Sequence, residues 1–339
     1  MINNLISYTA LLLIYFIFKI LFKNLKSKFH EKHQKLAGRE LVPLLGGIVM
    51  FSYYSYAVSF NDFYFIFFSF LILFLGIFSD NNLLQSPKLR LILQSIILFL
   101  FLYLSDIQIN DLRNYFLNGI LSNYYLGLFF TTFCLLVLIN GSNFIDGLDG
   151  LNLGYFFLII LIILFLSNKH NIVADNNQIK TIFLITSFLL VLNVINYLYL
   201  GDSGSYLIGF IFGVLLIDLN NNNYFISPYF IALLLWYPAF ENLFSIIRKR
   251  IVKKDPLKPD NLHFHQLLFN FLKQSKIKIV KKYSNSASSS LIIFYNSIAF
   301  IVGVNFINHT KILLFILLIN VSAYLIFYYL LKKKFYHIK

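Results

Sequence analysis

The chain has 339 residues, of which 59% are hydrophobic and 12% charged, and its mean hydropathy is +0.74. Soluble domains carry about 45–50% apolar and about 25% charged residues, so this composition excludes two soluble domains and indicates a polytopic membrane protein. The net charge of +14 is attributed to membrane orientation and attraction to anionic headgroups, because no nucleic-acid-binding motif accompanies it. The single cysteine, Cys134, excludes a disulfide framework or a cysteine metal site within the chain.

Apolar runs close to the length that crosses a hydrocarbon core, about 17 to 25 residues, recur from end to end. They predict one all-α domain over 1–339, a helix bundle with about eleven transmembrane helices. The predicted spans are 5–22, 44–60, 63–79, 89–105, 124–139, 152–167, 181–200, 204–219, 227–246, 289–307 and 310–331. The first run lacks a small-residue cleavage site, so it is predicted to be a retained helix and not a signal peptide.

The distribution of Lys and Arg predicts the orientation of these spans, because basic residues accumulate on the cytoplasmic side. Twenty-three of the 28 basic residues fall in alternate loops, which we therefore predict to be cytoplasmic. These segments are 23–43, 80–88 with Arg90, 140–151, 201–203, the long basic loop 247–288 and the tail from 332. The amino terminus is predicted to lie outside and the carboxyl terminus in the cytoplasm.

Four polar interruptions of the apolar pattern all fall on this predicted cytoplasmic face. The first in chain order is GIFSDNNLLQSPKLRLILQ at 76–94, where Asp80 ends a span and Lys88 and Arg90 follow on the next helix. A carboxylate beside cations at the membrane surface could accept a proton from a lipid phosphate while the cations bind it. The alternative is an ordinary interfacial loop.

The second interruption is NGSNFIDGLDGL at 140–151. Asn143, Asp146 and Asp149 are spaced i, i+3, i+6, although the glycines between them favour a broken or loop-like backbone. Carboxylates and amides beside glycine suit a hydroxylated or phosphorylated substrate, or a magnesium ion that keeps some of its waters. A polar turn between two helices is the alternative interpretation.

The third interruption is YLGDSGSYLIGF at 199–210, with Asp202 between two glycines where one span ends and the next begins. A carboxylate that shares this spot with exposed helix N-terminal amides could hold a hard cation together with a phosphate. The alternative is an Asp or Ser helix cap.

The fourth interruption is DPLKPDNLHFHQLL at 255–268, inside the basic loop. His263 and His265 point alike on an extended backbone and about 200° apart on a helix. Zinc requires three or four protein ligands, and no third partner is close in sequence. Binding of a sugar-nucleotide diphosphate, assisted by Lys258 and the basic run 248–254, is the favoured interpretation.

In this order and on one side of an eleven-helix protein, the four pieces resemble the polyprenyl-phosphate N-acetylhexosamine-1-phosphate transferase family, glycosyltransferase family 4. NGSNFIDGLDGL is similar to the family pattern NxxNxxDGxDGL, and LGDSGSYLIG to its GDxGS pattern. The resemblance runs from about residue 42 to the histidine loop. It implies a multi-pass enzyme of the bacterial inner membrane that transfers HexNAc-1-phosphate from a UDP-N-acetylhexosamine to undecaprenyl phosphate and releases UMP. The product would be the first lipid-linked intermediate of O-antigen, capsule or another envelope glycan.

The resemblance also implies roles for individual residues. Asp202 becomes the ligand of a Mg²⁺ cofactor, with Mn²⁺ as an alternative ion, and Asp80 a base or an orienter of the lipid phosphate. Asp146 and Asp149 complete the catalytic set in the nucleotide-sugar site. The implied substrate-binding residues are Asn140, Asn143, Asn196, Lys88, Arg90, His263 and His265.

The chain departs from the family pattern at three places. The family's acidic pair is usually Asp-Asp, whereas Asp80 stands alone here and pairs with Ser79 or Asn81, depending on the residue from which the match is made. A third histidine is missing from the histidine stretch. Glu241 stands where relatives often have aspartate, and the segment 196–201 is shortened.

Two other classes of function stay open at this stage. A membrane transporter also contains buried carboxylates and broken helices, but it predicts ionisable groups at mid-membrane in several spans and internal symmetry. A catalytically silent scaffold of a glycan assembly complex is the other alternative. The resemblance leaves a homodimer open, and nothing in the sequence signals one.

Overall fold

The computed structural model describes residues 2–21, 42–57, 63–170, 172–256, 258 and 260–336. Within these ranges the chain forms α-helices joined by loops, with one isolated parallel bridge between Leu44 and Tyr199 and no other β-structure. The helices are α1 Ile2–Leu21, α2 Gly46–Ala57, α3 Phe63–Asp80, α4 Pro87–Ser105, α5 Tyr115–Leu121, α6 Tyr124–Ile145, α7 Leu151–His170, α8 Asn176–Val194, α9 Gly201–Asn222, α10 Pro228–Ile251, α11 Phe264–Lys273, α12 Lys278–Lys282, α13 Ser284–Asn305 and α14 Thr310–Tyr336.

Each of the eleven predicted spans falls on one of these helices. Nine of the described helices are long and apolar enough to cross a membrane, namely α3, α4, α6 to α10, α13 and α14. The predicted all-α, polytopic membrane fold is therefore confirmed. Within the described residues, the helix α2 covers 12 residues, or roughly 18 Å at 1.5 Å per residue, and the end of the predicted span 44–60 lies outside these residues.

Local sequence sets several helix starts. Ser86 and Ser227 each cap a helix, and each is followed by a proline at the first helical position, where the missing N–H costs nothing. The helix α10 runs five residues beyond its predicted end, and α13 begins five residues before its predicted start. The connecting loop is therefore 252–283 and not 247–288, and it contains α11 and α12.

The loops gather at two opposite ends of the bundle. At one end, the Arg113 guanidinium donates to the carbonyls of Asn308 and Tyr224, which ties three predicted outer loops together. At the other end, Asp80 contacts the start of α9 and Asn143 contacts Asp202. The predicted sorting of loops into two groups agrees with these contacts, while the side that faces the cytoplasm stays a prediction.

The helix α9 lies at the centre of the bundle. Buried residues make up 89% of its apolar segment, against 22% for α4 and for α14, which therefore present most of their surface to lipid. Glycines allow its neighbours to approach closely: a Cβ at Gly76 of α3 would lie 2.3 Å from Ser203 Cα, and one at Gly47 of α2 would lie 2.7 Å from Gly204 N. Membrane helices commonly pack by such backbone contact. Lipid is as apolar as the helix side chains, so the hydrophobic effect does not drive the helices together and close packing has to do so.

Candidate active site

The side chain of Asp202, in the first turn of α9, is the meeting point of four helices. Its Oδ1 accepts a hydrogen bond from Asn143 Nδ2 at 2.6 Å. Its Oδ2 accepts from Arg90 Nη1 at 3.0 Å and from the Ser79 hydroxyl, which in turn accepts from Arg90. Side chains from α3, α4, α6 and α9 thus surround one carboxylate, and three of the predicted site residues are brought together here.

The structure also shows which neighbour of Asp80 belongs to this cluster. Ser79 faces Asp202, whereas Asn81 is exposed and donates its amide to the Ile77 carbonyl at 3.0 Å. The neighbour of Asp80 that joins this cluster is therefore a hydroxyl, and it bridges a cation and an anion. A hydroxyl can do so because it both donates and accepts.

The carboxylate of Asp80 holds the amino terminus of α9. Its two oxygens accept the backbone N–H groups of Asp202, at 2.8 Å, and of Ser203, at 3.1 Å. These donors have no partner within the helix, so a carboxylate at this place is a stabilising cap. Gly201 has a φ of +69°, and a Cβ there would lie 2.8 Å from Asp80 Oδ2. The helix cap considered for Asp202 thus exists, but Asp80 provides it.

The two other predicted catalytic carboxylates occupy the turn between α6 and α7. Asp146 follows the last residue of α6. Burial raises its pKa well above the ordinary value, with the charges of Asp202 and Asp80 acting in the same direction and hydrogen bonds from Ser205 and Asn152 opposing them. Burial and the nearby carboxylates thus oppose ionisation of Asp146, and a cation bound among these carboxylates would relieve their mutual repulsion.

Asp149 lies on the other side of the same turn, against α13. Its backbone N–H donates to Asn285 Oδ1 at 2.9 Å, and its carboxylate accepts from Asn285 Nδ2 at 3.1 Å. Beside it is a cavity of about 280 Å³ between α7, α8 and α13, with walls that include Phe157, Leu161 and Ile293. Asp149 therefore stands where a polar turn meets an apolar cavity.

The remaining predicted binding residues are dispersed. Asn140 donates to Gln94 Oε1 at 2.8 Å, one turn along α6 from Asn143. Lys88 is exposed in the first turn of α4. Asn196 is in the turn after α8, with a φ of +59°, and accepts the Tyr199 hydroxyl at 3.2 Å. The structure brings Asn196 into contact with none of the predicted carboxylates.

The two histidines lie against the turn that carries the carboxylates. A Cβ built on Gly147 would lie 2.6 Å from His265 Nε2, so the imidazole occupies the space that a side chain would need. The rings of His263 and His265 stack with centroids 5.7 Å apart, and Phe144 lies 5.0 Å from the His263 ring. Both predicted histidines thus join the second motif, and His263 begins α11 as its N-cap residue.

Sequence reasoning missed the residues that hold the segment 263–265, called the histidine segment below. Glu241, noted only as a departure from the family pattern, accepts hydrogen bonds from His263 Nδ1 at 2.9 Å and from the Tyr324 hydroxyl at 2.8 Å. Arg248 pairs with Asp260 at 2.8 Å instead of extending towards a ligand. Glu241 could have been identified from the sequence as a functional candidate, because it lies within the predicted span 227–246 and a carboxylate inside an apolar span is costly.

The side chains around Asp202 offer magnesium an incomplete set of ligands. Among the described residues, no three histidine, cysteine or carboxylate side chains form a group that could hold a metal. Magnesium commonly takes one or two protein carboxylates and fills its other positions with water and phosphate oxygens. Asp202, with the Asn143 amide beside it, is compatible with this incomplete kind of site.

The fold and this cluster define a polytopic membrane protein whose carboxylates, amides, guanidinium and imidazoles meet at one end of the bundle. Residues 63–220 match the model of glycosyl transferase family 4, the family that the motifs predicted. The matched segment runs from α3 to α9 and includes Asp80 and Asp202. The histidine loop lies beyond it.

Curated relatives agree with this assignment. The undecaprenyl-phosphate alpha-N-acetylglucosaminyl 1-phosphate transferase of Salmonella typhi is 25% identical over 256 residues, 72% of this chain and 68% of that protein. The protein of the same name from Escherichia coli (strain K12) is 25% identical over 257 residues, with the same shares covered. The decaprenyl-phosphate N-acetylglucosaminephosphotransferase of Mycolicibacterium smegmatis is 28% identical over 154 residues, 39% of this chain and 37% of that protein.

Proposed function

We propose that this protein transfers an N-acetylhexosamine-1-phosphate from a UDP-sugar to a polyprenyl phosphate, with undecaprenyl phosphate as the acceptor. The observation that carries the proposal is the convergence of Asp202, Asn143, Ser79 and Arg90 at the amino terminus of α9. A guanidinium beside a carboxylate that could hold a divalent cation suits a phosphate-bearing ligand. The names of the relatives point to the same reaction class.

In the proposed reaction, an oxygen of the polyprenyl phosphate attacks the β-phosphorus of the UDP-sugar. One P–O bond forms, the bond from that phosphorus to the bridging oxygen breaks, and UMP leaves with the bridging oxygen. Phosphoryl transfer of this kind needs alignment and charge neutralisation more than covalent help from the protein. Arg90, which already contacts Asp202, could bind an acceptor phosphate, and the exposed Lys88 lies two residues earlier on α4.

The donor would lie over the turn between α6 and α7. Asp146 and Asp149 come from this turn, Asn143 comes from the end of α6, and His265 packs on Gly147 within the turn. Imidazoles over the turn can hydrogen-bond to a diphosphate or a sugar. The apolar cavity beside Asp149 suits the first isoprene units of the acceptor, because its walls match a hydrocarbon chain.

Magnesium is part of the proposal, with Mn²⁺ as an alternative ion. Asp202 would hold it, together with phosphate oxygens of the donor. When bound, the ion would neutralise negative charge on the diphosphate. Arg90, which pairs with Asp202, would bind a phosphate of the substrates beside this ion.

The proposed setting is the cytoplasmic face of the bacterial inner membrane, where UDP-sugars are made. The excess of Lys and Arg in the loops on this side supports that orientation, with the amino terminus outside. The product would open the assembly of O-antigen, capsule or another cell-envelope glycan.

Release of UMP by the purified protein tests the proposal. The assay takes undecaprenyl phosphate and a panel of UDP-N-acetylhexosamines, with and without Mg²⁺. We expect lipid-dependent UMP release from one donor, lost on chelation and restored by Mg²⁺. The proposal is wrong if the folded protein releases no UMP from any donor, and the metal assignment is wrong if release survives chelation.

A further inference from the structure

We propose that Glu241 is a positioning residue for the reaction above, fixing His263 and with it the histidine segment over the α6–α7 turn. Tyr324, from the last helix, completes the arrangement. The inference rests on the proposed function for its effect on turnover. Its structural content, the placement of His263, can be tested without turnover.

The hydrogen bonds of Glu241 are the first argument. The side chain is 1% exposed, and its Oε1 accepts from His263 Nδ1 at 2.9 Å and from the backbone N–H of Phe264 at 3.2 Å. Its Oε2 accepts the Tyr324 hydroxyl at 2.8 Å. A buried carboxylate is costly unless paired and hydrogen-bonded, and this one has three donors.

The identity of the donors is the second argument. Two of the three belong to the first residues of α11, and the Phe264 N–H is one of the helix donors without an internal partner. The bond to Nδ1 fixes the plane of the His263 imidazole and places the proton on Nδ1, as carboxylates commonly do for functional histidines. Nε2 is then the ring nitrogen left to meet a ligand or Asp260, whose Oδ1 is 3.6 Å away.

The connection to the α6–α7 turn is the third argument. The His263 ring stacks on the ring of His265 and lies 5.0 Å from Phe144, just before that turn. His265 in turn fills the space at Gly147. A displaced His263 would therefore disturb the surface over which the donor diphosphate is proposed to lie.

Packing alone does not account for the buried pair of Glu241 and His263. Apolar residues of similar volume often replace buried charged pairs with no loss of stability. Here the carboxylate joins α10, α11 and α14, and each of its bonds ends on the histidine segment or on Tyr324. This geometry points to orientation of the segment as the reason for the charge.

Two variants and one matched control test the inference. Glu241→Gln removes the charge with little change of shape, and Tyr324→Phe removes one hydroxyl. Tyr155→Phe is the control, because it also removes a buried tyrosine hydroxyl that bonds to α10, at the Leu234 carbonyl, 2.8 Å away. It does not touch the histidine segment.

The first readout is the rate at which diethyl pyrocarbonate modifies His263, resolved by mass spectrometry of the folded protein. We expect the rate to rise at least about fivefold in Glu241→Gln and to a smaller extent in Tyr324→Phe, because a loosened ring becomes accessible. Tyr155→Phe should match the parent. An unchanged rate in both test variants, each folded, would overturn the inference.

The second readout is steady-state kinetics with UDP-N-acetylglucosamine, or whichever UDP-N-acetylhexosamine is turned over. We expect about a tenfold higher KM for the donor in Glu241→Gln, with KM for undecaprenyl phosphate unchanged. An equal fall in kcat with unchanged KM would contradict a role in donor placement. If the parent shows no turnover while the modification rates still differ, the proposed function fails and the placement of His263 by Glu241 stands.

Discussion

Two carboxylates in this protein do the same structural work at two helix starts. Asp80 accepts two backbone N–H groups at the start of α9, the helix that carries Asp202. Glu241 accepts one backbone N–H at the start of α11 and one imidazole N–H of the residue before it. Each carboxylate thus positions a segment with a proposed role in the reaction.

The two helix starts differ in what else supports them. The start of α9 is also held by backbone contacts with α2 and α3, through Gly47 and Gly76. The start of α11 depends on side chains, with Arg248 and Asp260 beside Glu241. The comparison shows that a carboxylate in a membrane site can serve the backbone as well as the ligand.

The largest effect is expected for Asp202, in the first turn of α9. Asp202→Asn keeps an acceptor for Asn143 but removes the negative charge that faces Arg90 and the proposed metal. We expect UMP release to fall by about 10³-fold or more, since charge stabilisation dominates phosphoryl transfer. Turnover is measured on protein shown by size-exclusion chromatography to be folded, and unchanged turnover would remove Asp202 as the metal ligand.

The next largest effect is expected for the α9 cap itself. Asp80→Asn leaves one acceptor oxygen for two backbone donors, so we expect a loss of about 1 kcal/mol in the free energy of unfolding. We also expect kcat to fall about 10²-fold if Asp80 takes part in proton transfer. Thermal unfolding and kinetics on the same sample separate the roles. A stability loss without a change in kcat would confine Asp80 to the cap.

Two glycine variants test the backbone contacts that support the start of α9. Gly76→Ala would place a Cβ 2.3 Å from Ser203 Cα, whereas Gly119, in α5, has nothing within 4 Å of an added Cβ. We expect Gly76→Ala to reduce the stability by about 1–3 kcal/mol, the usual cost of overpacking. Gly119→Ala is the control, and equal melting temperatures for the two variants would show that the α3–α9 contact tolerates more space than the structure gives.

The smallest effect is expected beside Glu241. Burial opposes ionisation of Asp260, but the hydrogen bond and charge of Arg248 outweigh it, so the pKa of Asp260 lies below its ordinary value. A lowered pKa means that its contribution to stability is present above about pH 4, the ordinary value, and is lost as the pH falls through the folded-state pKa. Asp260→Asn should cost up to about 1 kcal/mol at neutral pH. Thermal unfolding of parent and variant should converge in acid, and a difference that persists there would exclude this ion pair as its cause.

The sequence predicted the helices well because hydrophobic run length is a local property. Every predicted span overlaps a helix, and the glycine and carboxylate motifs pointed to the family whose model matches residues 63–220. The predicted span 44–60 contains α2, whose glycines contact α9, while residues 58–60 lie outside the part of the chain that the structure describes.

The contacts of the site were harder to predict because they join distant parts of the chain. The bond of Asp80 to the α9 backbone spans 122 residues, and that of Tyr324 to Glu241 spans 83. No local pattern encodes such pairs. The choice of Ser79 over Asn81 as the partner of Asp202 likewise needed the helix rotation that only the packed structure supplies.

The close backbone packing around α9 has a mechanical consequence. Because Ser203 and Gly204 already touch α3 and α2 without intervening side chains, a small rotation of α9 would drive main-chain atoms into each other. The main chain that carries the Asp202 carboxylate therefore has a fixed place in the bundle. A molecule bound at Asp202 thus meets a carboxylate whose main chain is held by two neighbouring helices.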